Sequence, residues 1–329
     1  MKKLLINNLL FITLSMALFS CGGGDGNTSE QKTSSEDIQI AVIPKGTTHA
    51  FWKSVQLGAE KAGQELGVKV IWQGPQKEDD RQMQIQVVQN FVSRGVSAIV
   101  LAPLDSRSLV PPVQTAIKRS IPVVIFDSGL DYQDYSSFVA TDNKEGGRLC
   151  AKRMAEVMNG KGKIILLRYA EGSASTTERE AGFLEGLKEF APDIEILSDN
   201  QYAGATREEA FQTSQNLLNR FKEVEGIFTP NESSTFGMLR ALETSGKAGK
   251  VKFIGFDATK ELLDAMQAGK IHGLSVQNPY KMGYEGVKTA LAVLKKETVA
   301  KRIDTGVLMI TPENLNNSEV QEVLKPQIQ

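Results

Sequence analysis

Short apolar runs begin at residues 38, 68, 97 and 122, and again at 163, 194, 226 and 251, so one long–long–short rhythm of spacing occurs twice in the chain. The runs are rich in Val, Ile and Phe and show no clean alternation, as strands covered on both faces do. Helical periodicity fills the gaps. Residues 51–66 put Val55, Ala59, Ala62 and Leu66 on one face before Gly67, and residues 82–94 do the same with Ile85, Val88, Phe91 and Val92 before Gly95. Residues 173–190 and 208–221 repeat the pattern in the second half. Strands alternating with helices build doubly wound parallel sheets. The fold class expected is therefore α/β, two such lobes with a cleft between them. Ligands of these sheets gather beyond the carboxyl ends of the strands, so the residues just after each apolar run deserve the closest reading.

The segment before residue 38 does not belong to this pattern. Lys2 and Lys3 followed by an apolar stretch over 9–19 read as an export signal, too short for a membrane span. The stretch ends in Leu18-Phe19-Ser20-Cys21, which resembles the lipobox of bacterial lipoproteins and implies a diacylated Cys21 on a signal peptide of residues 1–20. Residues 21–37 are Gly, Ser, Thr, Asp, Glu, Gln and Lys with almost nothing apolar, a composition that cannot offset the entropy of ordering and so reads as a tether. The expected body is a first lobe of residues 38–141 with 278–302, a second of 142–277 with 303–317, and a short surface helix or tail over 318–329. In that scheme the chain crosses three times, the extra helix over 284–295 returns to the first lobe, and 303–310 is a strand of the second.

Several function classes are poorly served by this chain. A net charge of −1 lacks the cationic excess that tracks phosphates, so nucleic acid is not an expected partner. The two cysteines and two histidines give little for a structural metal site, and no cofactor or metal is expected. Cys150 falls on an amphipathic stretch and reads as a buried structural thiol. No phosphate-cradling Gly-rich loop, His-Glu-x-x-His or nucleophile elbow is present, so an enzyme is not expected.

The strand-end residues carry a family likeness. His49-Ala50-Phe51-Trp52, Ser93-Arg94-Gly95-Val96, Ala102-Pro103-Leu104-Asp105, the Ile-Pro-Val-Val-Ile-Phe-Asp run of 121–127, Thr141-Asp142-Asn143, Ile254-Gly255-Phe256-Asp257 and Gln277-Asn278-Pro279 follow in order over residues 38–310. Together they resemble the periplasmic sugar-binding proteins of ABC importers, most closely the ribose-binding type, whose ligand fold LacI-like repressors share. A repressor would need a DNA-binding helix pair where this chain has its leader and tether.

The resemblance implies a pocket. Phe51, Trp52 and Phe256 would cover the apolar face of a sugar ring. Asp127 and Asp257 would accept from hydroxyls, Arg179 would donate to them, and Asn143, Asn231 and Gln277 would do both. Lys45, His49 and Ser128 depart from the ribose pattern, which has Ser, Asn and Arg there. The cation has moved from one wall to another, so ribose itself does not carry over. Lys45 and Arg179 together leave an acidic sugar or phosphorylated polyol open beside a neutral sugar or polyol. The expected partners are that small molecule, a membrane permease, and the membrane through the lipid anchor, with the protein itself a monomer at the cell envelope. A ligand-presenting sensor for a histidine kinase or chemoreceptor remains the alternative to import.

Overall fold

The computed structural model describes residues 38–326. Cys21, the apolar leader and the tether lie outside the described residues.

The first repeat of the rhythm becomes β1 (Gln39–Ile43), α1 (Ala50–Leu66), β2 (Lys69–Trp72), α2 (Arg81–Arg94), β3 (Ala98–Leu101), α3 (Val110–Lys118), β4 (Val123–Phe126) and β5 (Ser137–Ala140). The second becomes α4 (Asn143–Val157), β6 (Lys161–Arg168), α5 (Ala174–Phe190), β7 (Asp193–Tyr202), α6 (Arg207–Arg220), β8 (Gly226–Phe228), α7 (Glu232–Thr244), β9 (Lys252–Phe256), α8 (Lys260–Gln267) and β10 (Gly273–Gln277). The chain closes with α9 (Pro279–Leu294), β11 (Arg302–Asp304), β12 (Val307–Ile310) and α10 (Ser318–Leu324). The sheets run β11-β5-β4-β3-β1-β2 and β12-β10-β9-β8-β6-β7, all parallel except the β10–β12 pair.

Side chains alternate along each strand, and both faces are covered. In β1, Ile40 and Val42 join α1 and α9, with Val55, Ala59, Met282 and Val287. Ala41 and Ile43 face α2 and α3 instead, against Val88, Phe91 and Val113. The second sheet is layered likewise, with α4 and α5 on one face and α6, α7 and α8 on the other. This double burial is why the runs show no polar alternation. Cys150 is fully buried in the α4 layer, where desolvation pushes its thiol pKa far up, as a structural thiol should behave.

The chain crosses between lobes after β5, after β10 and between β11 and β12. Two boundaries differ from the sequence reading. Residues 303–310 are not one strand of the second lobe: Arg302–Asp304 pairs with β5 in the first sheet, and only Val307–Ile310 joins the second. The turn between them is set by Gly306, at φ 87°, whose N–H donates to Asp304 Oδ1 at 2.9 Å. Residues 318–324 form a short helix, one of the two expected alternatives, but it is docked rather than superficial, because Val320 and Leu324 are buried in the second lobe's core.

Both lobes hold helices in backbone contact. A Cβ at Gly283 of α9 would lie 2.0 Å from the Val55 carbonyl of α1, and one at Gly147 of α4 would lie 1.9 Å from the Arg179 carbonyl of α5. Gly283→Ala should therefore lower stability by about 1–3 kcal/mol, since the backbone must separate to admit a methyl group. A denaturant midpoint unchanged from wild type would refute that reading of the α1–α9 contact.

Candidate functional site

Asp127 follows β4 and Asp257 follows β9, at equivalent carboxyl ends of the two sheets. Both backbones are left-handed, at φ 59° and φ 67°. Asp tolerates that region better than most residues, and strain of this kind persists where surrounding structure enforces it. A helix N-cap residue takes extended backbone instead, so neither aspartate is merely capping the next helix. Asp257 Oδ2 accepts from Glu232 N at 2.9 Å and its Oδ1 from Gln277 Nε2 at 2.7 Å. Burial pushes the Asp257 carboxyl up to about 6, against the pull of Arg179 and the Gln277 hydrogen bond, with Glu232 and Asp127 adding to the rise.

Arg179 lies on α5, which begins just beyond β6. Its guanidinium sits 4.0 Å over the Phe256 ring, gives Nε to Asn143 Oδ1 at 2.8 Å, and gives Nη1 to the Pro230 carbonyl at 3.0 Å. Nη2 has no hydrogen-bond partner among the described residues, and the side chain faces the cavity. An unmet donor on a buried cation is costly unless something else accepts from it.

Lys45, just past β1, behaves differently. Its ammonium meets Asp127 Oδ2 at 3.2 Å, Ser173 Oγ at 3.3 Å and Ser175 Oγ at 3.0 Å. A lysine has three donors, and all three are taken. The serines belong to the opposite lobe, so Lys45 is a cross-link over the cleft before it is anything to a ligand. Ser128, expected to touch ligand, accepts from Ser175 N at 3.1 Å in the same seam. Further along, Phe51 N donates across the cleft to Glu232 Oε2 at 3.1 Å, and Ser106 N to the Gly172 carbonyl at 3.0 Å. The lobes are closed on one another.

Glu78 completes the wall. Its Oε1 accepts from His49 Nδ1 at 2.7 Å and from Trp52 Nε1 at 2.8 Å, and its Oε2 from the Tyr169 hydroxyl of the opposite lobe at 2.8 Å. Burial disfavours the carboxylate, but the charge and hydrogen bond of His49, then Lys45 and Trp52, bring Glu78 down to about 2. Burial likewise disfavours the imidazolium, and Glu78 outweighs it, lifting His49 to about 9.

The cavity so formed is tight: about 30 Å³ is open to water-sized centres, where a single water needs roughly 10–15 Å³. Lys45, His49, Phe51, Trp52, Asp127, Arg179, Asn231, Asp257 and Gln277 line it, as the sequence suggests. Ser128, Asn143 and Phe256 stand one layer back: Phe256 beneath Arg179, Asn143 on its Nε, and Ser128 in the seam. Trp52 is both core and wall, packed edge-on to Phe126 with only its indole N–H turned to Glu78. Asn231 spends much of its amide on capping α7. Glu78, Tyr169, Ser175, Thr176 and Glu232 also line the cavity and were not expected from the sequence. Of these Tyr169 and Glu232 follow β6 and β8, where the strand-end rule points; Glu78 lies in a charged loop that reads as solvated surface.

Residues 40–298 match the family model described as the periplasmic binding protein domain. The chain belongs to the periplasmic binding protein family. Among solved periplasmic binding proteins, the carbohydrate-transporter solute-binding protein of Agrobacterium radiobacter, in complex with D-arabinose, is 35% identical, with a TM-score of 0.85 over 88% of this chain and 99% of that one. An Agrobacterium vitis solute-binding protein with bound D-fucose is 38% identical, with a TM-score of 0.83 over 86% and 98%. The ribose import binding protein of Escherichia coli (strain K12) is 28% identical over 274 residues, 83% of this chain and 90% of the relative. The two-lobed architecture is thus that of its family.

Proposed function

We propose that the protein captures a neutral monosaccharide or related polyol between its lobes and delivers it to the permease of an ABC importer. The observation that carries this reading is the matched pair of left-handed aspartates, Asp127 and Asp257, with Arg179 Nη2 open beside them. Carboxylates grip vicinal hydroxyls, a guanidinium donates to ring and hydroxyl oxygens, and Phe51 supplies apolar wall. Relatives that hold D-arabinose and D-fucose support the same class.

Charge decides between neutral and anionic ligands. The cations each have a carboxylate: Lys45 meets Asp127, His49 meets Glu78, and Arg207 meets Glu232 at 2.6 Å, leaving Arg179 with Asp257. No cationic surplus remains to compensate a buried anion. The Lys45 route to an acidic or phosphorylated sugar is therefore disfavoured.

A thermal-shift screen against pentoses, hexoses, polyols, uronic acids, sugar phosphates and nucleosides tests the reading. A ligand at 100 times its Kd stabilises by about 2.7 kcal/mol, and the shift should come from a neutral sugar or polyol. Shifts with acids or phosphates alone would overturn neutrality, and no shift at all would overturn the sugar assignment. Localisation follows from the sequence Leu18–Cys21: the protein would ride on the envelope by a diacylated Cys21, acting as a monomer. Cys21→Ala should move it from the membrane fraction to the soluble one.

A further inference from the structure

The position of His49 is electrostatically wrong for a cation. It is the residue at the N-terminus of α1, where the helix dipole disfavours positive charge, and it makes no capping hydrogen bond. Its side chain turns instead to Glu78, a residue of the β2–α2 loop whose carboxylate is 9% exposed. Glu78 accepts from His49, Trp52 and Tyr169, three of the roughly four acceptor sites of a carboxylate, so it offers little to a ligand directly. What it does is hold Nδ1 of the imidazole of a residue that lines both the cleft and the neighbouring pocket with Arg207 and Glu261.

From this geometry we infer that Glu78 is a positioning residue for ligand recognition: it keeps His49 as an imidazolium whose Nε2–H is a fixed charged donor to a ligand oxygen, and its bond to Tyr169 makes that donor part of the closed cleft. The ligand class rests on the sugar reading above, while the Glu78–His49 relation does not. The donor set of the site then becomes Arg179 Nη2 and His49 Nε2, with Lys45 withdrawn into the seam. A charged N–H to oxygen is the stronger class of hydrogen bond and discriminates against a ligand carrying a donor or a methyl group at that place.

Charged groups reach the pair from several elements: Lys53 of α1, Lys77 of the β2–α2 loop, and Arg207, Glu208 and Glu261 of the second lobe line a pocket with His49 and Glu78. His49 faces Glu78 on its own lobe and Glu232 and Arg207 on the other, the last opposing its charge. Glu78 faces Lys45 and His49, and Tyr169 from across the cleft. With Glu78 neutralised, burial and Arg207 work against the imidazolium and only Glu232 supports it.

The test uses wild type and Glu78→Gln, with His272→Gln in each to assign the ring signals, since the chain has 2 histidines. Histidine-ring NMR on the protein alone should show wild-type His49 protonated from pH 5.5 to 8 and the Gln variant titrating within that window. Affinity for the panel sugar with the largest melting shift should change with pH in wild type only as Asp257 titrates near pH 6. In the variant it should fall roughly a further tenfold, relative to wild type, between pH 5.5 and 8. Tyr169→Phe separates the two arms of Glu78: affinity drops with no change in pH profile. A wild-type His49 that titrates near pH 6.5, or a Glu78→Gln protein with the wild-type titration, overturns the inference. So does a variant whose His49 loses its proton while its sugar affinity follows the wild-type pH profile. If no panel sugar binds, the sugar reading fails and the NMR titration still decides the role of Glu78.

Discussion

Arg179→Met is expected to weaken ligand binding by about two to three orders of magnitude, the range for removing one partner from a buried, hydrogen-bonded charge cluster. Methionine keeps the length and apolar body of the stem over Phe256 but cannot donate. In wild type the open Nη2 is a buried donor waiting for an acceptor, so a ligand oxygen gains more from it than from an exposed group. The same substitution has a signature in stability. Asp257 already has its pKa raised to about 6 by burial, and Arg179 is the first influence pulling it down. A carboxyl whose folded pKa exceeds its unfolded value of about 4 favours folding below that value, and this contribution is lost as pH rises through the folded pKa. Without the guanidinium the folded pKa climbs further. The variant should then melt lower at pH 8 than at pH 5 by a wider margin than wild type does. Calorimetric titration with the ligand and melts at both pH values check this. Affinity within threefold of wild type would remove Arg179 from the ligand's contacts, and an unaltered pH margin would uncouple it from Asp257.

How much of this was legible in the sequence follows from what each element buries. Strands covered on both faces leave a continuous apolar signature, so β1, β3, β4 and β9 could be placed within a residue or two. Their carboxyl ends marked where to look, and the family resemblance singled out Lys45, Asp127 and Asp257 there. The division of 302–310 between two sheets was written in Asp304-Thr305-Gly306, a turn signal overshadowed by the apolar residues around it. The docking of α10 was likewise announced by Val320 and Leu324 at helical spacing. Glu78 could not be read this way. Gln76-Lys77-Glu78-Asp79-Asp80 looks like solvated loop, and the partners that meet Glu78 include Tyr169 of the other lobe as well as His49 and Trp52. The role of Lys45 was unreadable for the same reason: the type of residue was legible, but its partners Ser173 and Ser175 come from across the cleft. Contacts made only when two lobes meet leave no periodic trace in either one.

Lys45→Met should lower the affinity for every ligand by the same factor, about 10²–10³, because the residue acts on closure rather than on the cargo. Its three donors divide between Asp127 on its own lobe and two serines on the other, so opening the cleft breaks two of the three bonds. In the variant, closing would bury the Asp127 carboxylate with no ammonium against it. Leaving one charge of a buried pair uncompensated costs about 3–5 kcal/mol, and here the cost falls on the closed form, where Asp127 is sealed from water. Hinge closure is a pre-existing equilibrium, so apparent affinity scales with the fraction of molecules able to close. Two sugars that differ at one hydroxyl should therefore lose affinity in parallel in Lys45→Met, whereas a residue that touches ligand discriminates between them. Small-angle scattering of the ligand-free protein should show the variant more open than wild type. Adding Asp127→Asn should restore closure, because the amide removes the unpaired charge, while leaving affinity low through loss of a hydroxyl acceptor. Unequal losses for the two sugars, or scattering indistinguishable from wild type, would return Lys45 to the ligand's direct contacts.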